Sequence, residues 1–109
     1  MKRGENVIIS TTSTLEGKTI KEYRGIVFGE AISGINFVED FTANITNIIG
    51  GRVEEYEKEI VNARADAVNQ MIKRAERIGA NALVGVKVDI ESYGSMIMVA
   101  ATGTAVVVE

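Results

Sequence analysis

Met96-Ile97-Met98-Val99-Ala100-Ala101-Thr102-Gly103-Thr104-Ala105-Val106-Val107-Val108 reads as a strand that is apolar on both faces over much of its length. One face carries Ile97, Val99, Ala101, Ala105 and Val107. The other carries Met96, Met98 and Ala100, then Thr102 and Thr104. Strands buried on one side alternate apolar and polar residues, whereas a strand covered on both sides does not. A chain of 109 residues builds one core. A second covered face therefore implies a second surface, which we expect another subunit to supply. An acid at Val99 or Val107 is expected to break that assembly.

Working back along the chain, Ala82 to Glu91 alternates, with Val84, Val86, Val88 and Ile90 on one side and Gly85, Lys87, Asp89 and Glu91 on the other. Ser92-Tyr93-Gly94 is a plausible hairpin link to the last strand. Before it, residues 53–78 predict a long helix. Val53, Tyr56, Ile60, Ala63, Ala67, Met71, Ala75 and Ile78 make one stripe, with Val61, Ala65, Val68 and Ile72 beside it. Glu54, Glu55, Glu57 and Glu59 precede it, and Lys73, Arg74 and Arg77 close it, an order that suits the helix dipole. Gly79 is the expected cap. A shorter helix is expected from Asn36, with Glu39 at capping-box spacing, and Gly50-Gly51 as its stop.

Upstream, Val7 to Thr11 and Thr19 to Ala31 read as strands, with Gly17 in the turn between them. Gly25, Gly29, Gly85 and Gly103 sit inside strands, where glycine marks a bulge or a close approach. Subunit packing is the explanation we favour for them as a set. The order β-β-α-α-β-β predicts one α+β domain, residues 1–109, with a largely antiparallel sheet.

Composition excludes more than it suggests. The chain has no Cys and no His, so it lacks a thiolate nucleophile, an imidazole base, a Ser–His–Asp triad and the usual zinc ligands. With no Trp and 6% aromatic residues, base-stacking platforms have little to build on. A net charge of −3 offers no basic field for nucleic acid or anionic lipid. The start of the chain, MKRGENVIIS, lacks an apolar signal segment, and the uncharged run from Ser95 to Val108 is short for a membrane span. A cytoplasmic, non-enzymatic protein without a cofactor is expected, with neither nucleic acid nor membrane as partner.

Several motifs compete as sites. Gly17-Lys18-Thr19 ends like a phosphate loop, but Thr12 stands where the first glycine belongs and a strand follows. The hydroxyl run Ser10 to Thr14 has no His or Cys to activate it. Asp89 with Glu91, or Glu39 with Asp40, could give oxygen ligands to a hard cation, although solvated surface explains them as well. The identity of any metal stays unknown at this stage. The junction Gly50-Gly51-Arg52, with Tyr56 and Glu57 one turn on, is the candidate ligand or anion site. Two glycines leading into a helix would expose free amides, and Arg52 would add a planar cation. A purely structural turn between helices explains the same residues.

Tyr23-Arg24-Gly25-Ile26-Val27-Phe28-Gly29-Glu30, Gly50-Gly51-Arg52 with Tyr56-Glu57, Gly79-Ala80-Asn81-Ala82 and Gly103-Thr104-Ala105-Val106 occur in this order. Together they resemble the YbjQ-like family of small bacterial and archaeal proteins, over about Val7 to Val108. The resemblance implies a dodecin-like α+β subunit assembling into a ring, typically a homopentamer. It also implies a heavy-metal-binding label, which the absence of thiolate and imidazole opposes. The expectation is a ring-forming homo-oligomer that binds a small ligand or ion. The alternatives are an oxygen-ligand metal or anion site, or a scaffold docking partners on its outer helices.

Overall fold

A computed structural model describes residues 7–34, 49–93 and 96–109. It places β1 at Ile8–Ile9, β2 at Ile20–Gly34, a helix α1 at Ile49–Arg77, β3 at Ala82–Tyr93 and β4 at Met96–Val108. The strands form one sheet in the order β1-β3-β4-β2. The β3/β4 and β2/β4 pairs are antiparallel, and β1 lies parallel to β3 through Ile8↔Ala82 and Ile9↔Leu83. The class is α+β with a mixed sheet. The helix expected from Asn36 lies outside the described residues.

The helix packs its small-residue stripe onto β2 and β4. Ala63, Ala67, Met71 and Ala75 are buried, and they meet Val27, Ile97, Val99, Ala101 and Ala105. Spacing of four residues puts the stripe on one helix face. Alanine there lets the backbones come close. Gly29 shows how close: a Cβ built on it would lie 1.7 Å from the Ala67 carbonyl oxygen and 2.8 Å from the Met71 nitrogen. The strand glycine is thus explained by the chain's own helix, not by a neighbouring subunit. Gly103 is likewise filled from within, by Val86, Leu83 and Met71.

Gly25 and Gly85 have a different cause. Both have positive φ, +120° and +61°, and both sit at register shifts, between Tyr23/Gly25 and Val84/Lys87. Each is a bulge, and a bulge reverses the facing of every later residue. The Gly85 bulge corrects the expected alternation of β3. Val84 joins Ala82, Val106, Val108, Leu15 and Ile20 in a small cluster on the sheet face away from the helix. Val86 and Val88 pack on the helix side.

The helix boundaries also differ from expectation. Gly50 and Gly51 lie inside α1, in its first turn, so they do not stop a helix. Glycine is tolerated there because first-turn amides have no intrahelical partner and the propensity cost is about 1 kcal/mol per residue. That start also moves the acidic run from Glu54 to Glu59 beyond the first turn. At the other end the expected cap is present. Gly79 adopts φ +82°, Ala80 N–H donates to Ala75 O at 3.0 Å and Gly79 N–H to Glu76 O at 3.0 Å. This is a Schellman ending. Ile78 falls outside the helix and is exposed.

Val99 is fully buried beneath the subunit's own helix. An acid there would break the subunit core, which corrects its use as a probe of assembly. The first face of β4 is covered within the chain; on the second, Val106 and Val108 pack with Leu15 and Ile20, and no described element covers the stretch from Met96 to Thr104.

Candidate functional site: an open sheet face

Of the residues expected to form an anion site, Gly50, Gly51 and Arg52 are in the first turn of α1, and the side chains of residues 49–55 lie outside the described set. Tyr56 is half-buried against the main core and Glu57 is exposed. The two glycines fall within the first turn of α1 rather than in a loop before it, so the amides that the anion reading uses belong to the helix itself. The nearby polar contact is structural. Ser33 Oγ donates to Glu59 Oε1 at 2.6 Å and ties the end of β2 to the helix.

The other face of the sheet is more instructive. Pairing places Ile26 opposite Thr104, Phe28 opposite Thr102 and Ile32 opposite Met98. Across β4, Lys87 stands opposite Thr102, Asp89 opposite Ala100, Glu91 opposite Met98 and Tyr93 opposite Met96. These residues share the face that α1 leaves open. It has two halves. On β2, Ile26 is 69% and Ile32 63% exposed, a large apolar cost for a surface in water. On β3 the row is Lys87, Asp89, Glu91 and Tyr93, which stays wet. Between them, Asp89, Ile90, Glu91, Met98 and Ala100 line a shallow depression of about 290 Å³.

Within that wet half, Tyr93 Oη donates a hydrogen bond to a Glu91 carboxylate oxygen. The bond holds the phenol in its neutral form, and the carboxylate's charge opposes the phenolate. The Tyr93 pKa is therefore raised above the ordinary 10.0, first by the hydrogen bond and then by the charge. Following phenolate absorbance in alkaline titration, Tyr93 should ionise later than a free tyrosine, and Glu91→Gln should bring it back down. An unchanged curve would contradict the contact.

The free edges matter as much as the faces. Backbone groups of Phe28 and Glu30 point away from β4 and are satisfied by the helix. Arg74 Nη1 donates to Phe28 O at 2.8 Å, and Glu30 N–H donates to Gln70 Oε1 at 3.2 Å. On either side of this capped step, no described strand pairs with the outer edge of β2. At the opposite side of the sheet, β1 and the residues after it cover β3 only as far as Val86. The edge from Lys87 to Tyr93 has no strand partner among the described residues.

The donor chemistry is equally plain. The chain contains no Cys and no His, and no group of three or more carboxylates converges among the described residues. Divalent heavy metals are held by thiolate and imidazole, so the residues present do not fit them. No described helix is long and apolar enough to cross a membrane.

Comparison with known proteins agrees along the whole length. A chain named UPF0145 protein from Acetivibrio thermocellus is 51% identical over 106 residues, covering 94% of this chain and all of that one. A Clostridium botulinum protein of the same name is 53% identical over 106 residues with the same coverage. A solved structure from Pediococcus pentosaceus, titled as a protein of unknown function in the DUF74 family, superposes with a TM-score of 0.66. It covers 94% of this chain and 98% of that one at 17% identity, a likeness of fold. The YbjQ family model, described as "Putative heavy-metal-binding", matches residues 7–109. With a family match over nearly the full chain and half-identical relatives of the same length, this chain belongs to the YbjQ-like family of UPF0145 proteins.

Proposed function

We propose that the chain is a non-enzymatic binding module that works as a closed ring of identical subunits. Its five-membered form is what the sequence resemblance implies. The observation that carries this reading is the pair of different edges, one on β2 and one on β3, that have no strand partner among the described residues. Joining two different edges is a head-to-tail contact, which closes into a ring when the rotation between subunits permits and otherwise runs on as a filament. An edge strand of 15 residues with no described strand on its outer side is otherwise an aggregation hazard. The exposed Ile26, Phe28 and Ile32 beside that edge support the same reading, since a neighbour would remove them from water.

Two features support binding over catalysis. Among the described residues no polar or charged residue is buried as a whole, and the carboxylate oxygen that is out of water, Glu76 Oε2, has no hydrogen-bond partner that would make it half of an acid–base pair. The charged row on β3 borders the depression at Asp89 and Glu91, a place for a small ligand or ion where the assembly leaves the face open.

Hydrogen exchange tests the edge contact. The Ile32 amide lies on the same side of β2 as those of Phe28 and Glu30, so in the assembled protein it should be protected. Exchange as fast as in the exposed loop from Thr11 to Thr14 would contradict edge pairing.

A further inference from the structure

We infer that the Met96–Met98 row is a site for a soft monovalent cation, Ag(I) or Cu(I), and that divalent heavy metals have no site among the described residues. The inference starts from the mismatch between the family model's description and this chain's donors. Thiolate and imidazole are absent, but one soft donor type remains, the methionine thioether. Thioethers select Cu(I)-like ions and hold Zn²⁺, Ni²⁺ or Cd²⁺ poorly.

The chain has four methionines, and position separates them. Met71 is fully buried in the core and cannot reach an ion. Met1 lies outside the described residues. Met96 and Met98 are two apart on the open face of β4, so their side chains are neighbours on one row. Met96 is 44% exposed and Met98 lines the depression. Both side chains are unbranched and adaptable enough to turn two sulfurs toward one ion. Glu91 stands opposite Met98, and its carboxylate, oriented by Tyr93, supplies the compensating negative charge. The row lies between the apolar half of the face and the wet half, where a neighbour covering β2 would exclude water from one side of the ion only.

Thioethers also carry no proton to lose. Sites built on thiolate or imidazole release metal as pH falls, whereas sulfur binding at this row should be insensitive to mild acid. The inference shares the open face with the ring reading but does not require a ring.

The experiment titrates the full chain with silver nitrate in chloride-free buffer, and separately with Zn²⁺, Ni²⁺ and Cd²⁺. Calorimetry and native mass are read on the same samples. The expected result is one silver ion per chain, retained on mild acidification, with divalent heats equal to buffer. Met96→Leu with Met98→Leu, a swap that conserves volume, should weaken silver at least tenfold at unchanged particle mass. Silver binding that survives the double variant, no silver binding by the wild type, or stoichiometric divalent binding would each overturn the inference. A wild-type monomer that binds silver would overturn the ring and leave this site standing.

Discussion

Gly29→Ala should cost this protein about 3 kcal/mol or more, although it adds a single methyl group to a strand. The reason is what the methyl meets. At 1.7 Å the Ala67 carbonyl oxygen already occupies the position, and the atoms beside it belong to the helix backbone. A side chain can rotate away from an intruder, whereas a helix must translate as a whole. That shift would open the contacts of Ala63, Ala67, Met71 and Ala75 with β2 and β4 together. Gly103→Ala is the control. Its nearest neighbour would be the Val86 Cγ2 at 3.1 Å, a methyl at the end of a half-buried side chain. Its expected loss is about 1 kcal/mol. Urea unfolding of the two variants beside the wild type separates them, and equal midpoints would remove the close helix–strand contact from the explanation of the fold.

The second large effect concerns association. Ile26→Asp with Ile32→Asp should convert the assembled protein to a monomer. Both residues are more than half exposed in the subunit, so neither charge enters the subunit's core. Substitutions at such positions shift the stability of a folded subunit by within about 1 kcal/mol. In an assembly, however, two carboxylates would enter an apolar contact unpaired, at several kcal/mol each as an order of magnitude. Light scattering reads the mass, and circular dichroism reads the retained helix. A variant that keeps both the wild-type mass and its helix would show that this half of the face stays in water. Val99→Asp is not an equivalent probe, because Val99 is fully buried within one chain.

The parts of this molecule that follow short periods were legible in the sequence. The stripe Ala63, Ala67, Met71 and Ala75 announced the helix and its buried face, and Gly79 announced its end. The uninterrupted alternation of β4 gave both of its faces correctly. What the sequence hid is what depends on a single backbone angle or on tertiary contact. Val84 and Val86 look alike in sequence, but the left-handed turn at Gly85 sends them to opposite sides of the sheet. Gly29 signalled a close approach without saying what approached. Gly50-Gly51 looked like a stop because glycine favours one locally, and the longer helix overrides that preference.

The candidate site was legible in pieces only. Asp89 and Glu91 stood out as carboxylates on one strand, and the register sets them beside Ala100 and Met98. Met96 and Met98 drew no attention as ligands, because methionine in an apolar strand reads as packing. Their chemistry becomes visible only when Met71 is seen to be buried and the row on β4 is seen to be open. The Tyr93–Glu91 hydrogen bond, two residues apart on the same face, could have been anticipated from the alternation after Gly85.

We propose that identical copies complete the sheet edges that have no strand partner among the described residues. Native mass spectrometry of the wild-type protein at micromolar concentration tests this most directly. A single discrete particle at an integral multiple of 11.8 kDa is the predicted result. A stable 11.8 kDa monomer would contradict it, because the open edges of β2 and β3 and the exposed Ile26 and Ile32 would then face water.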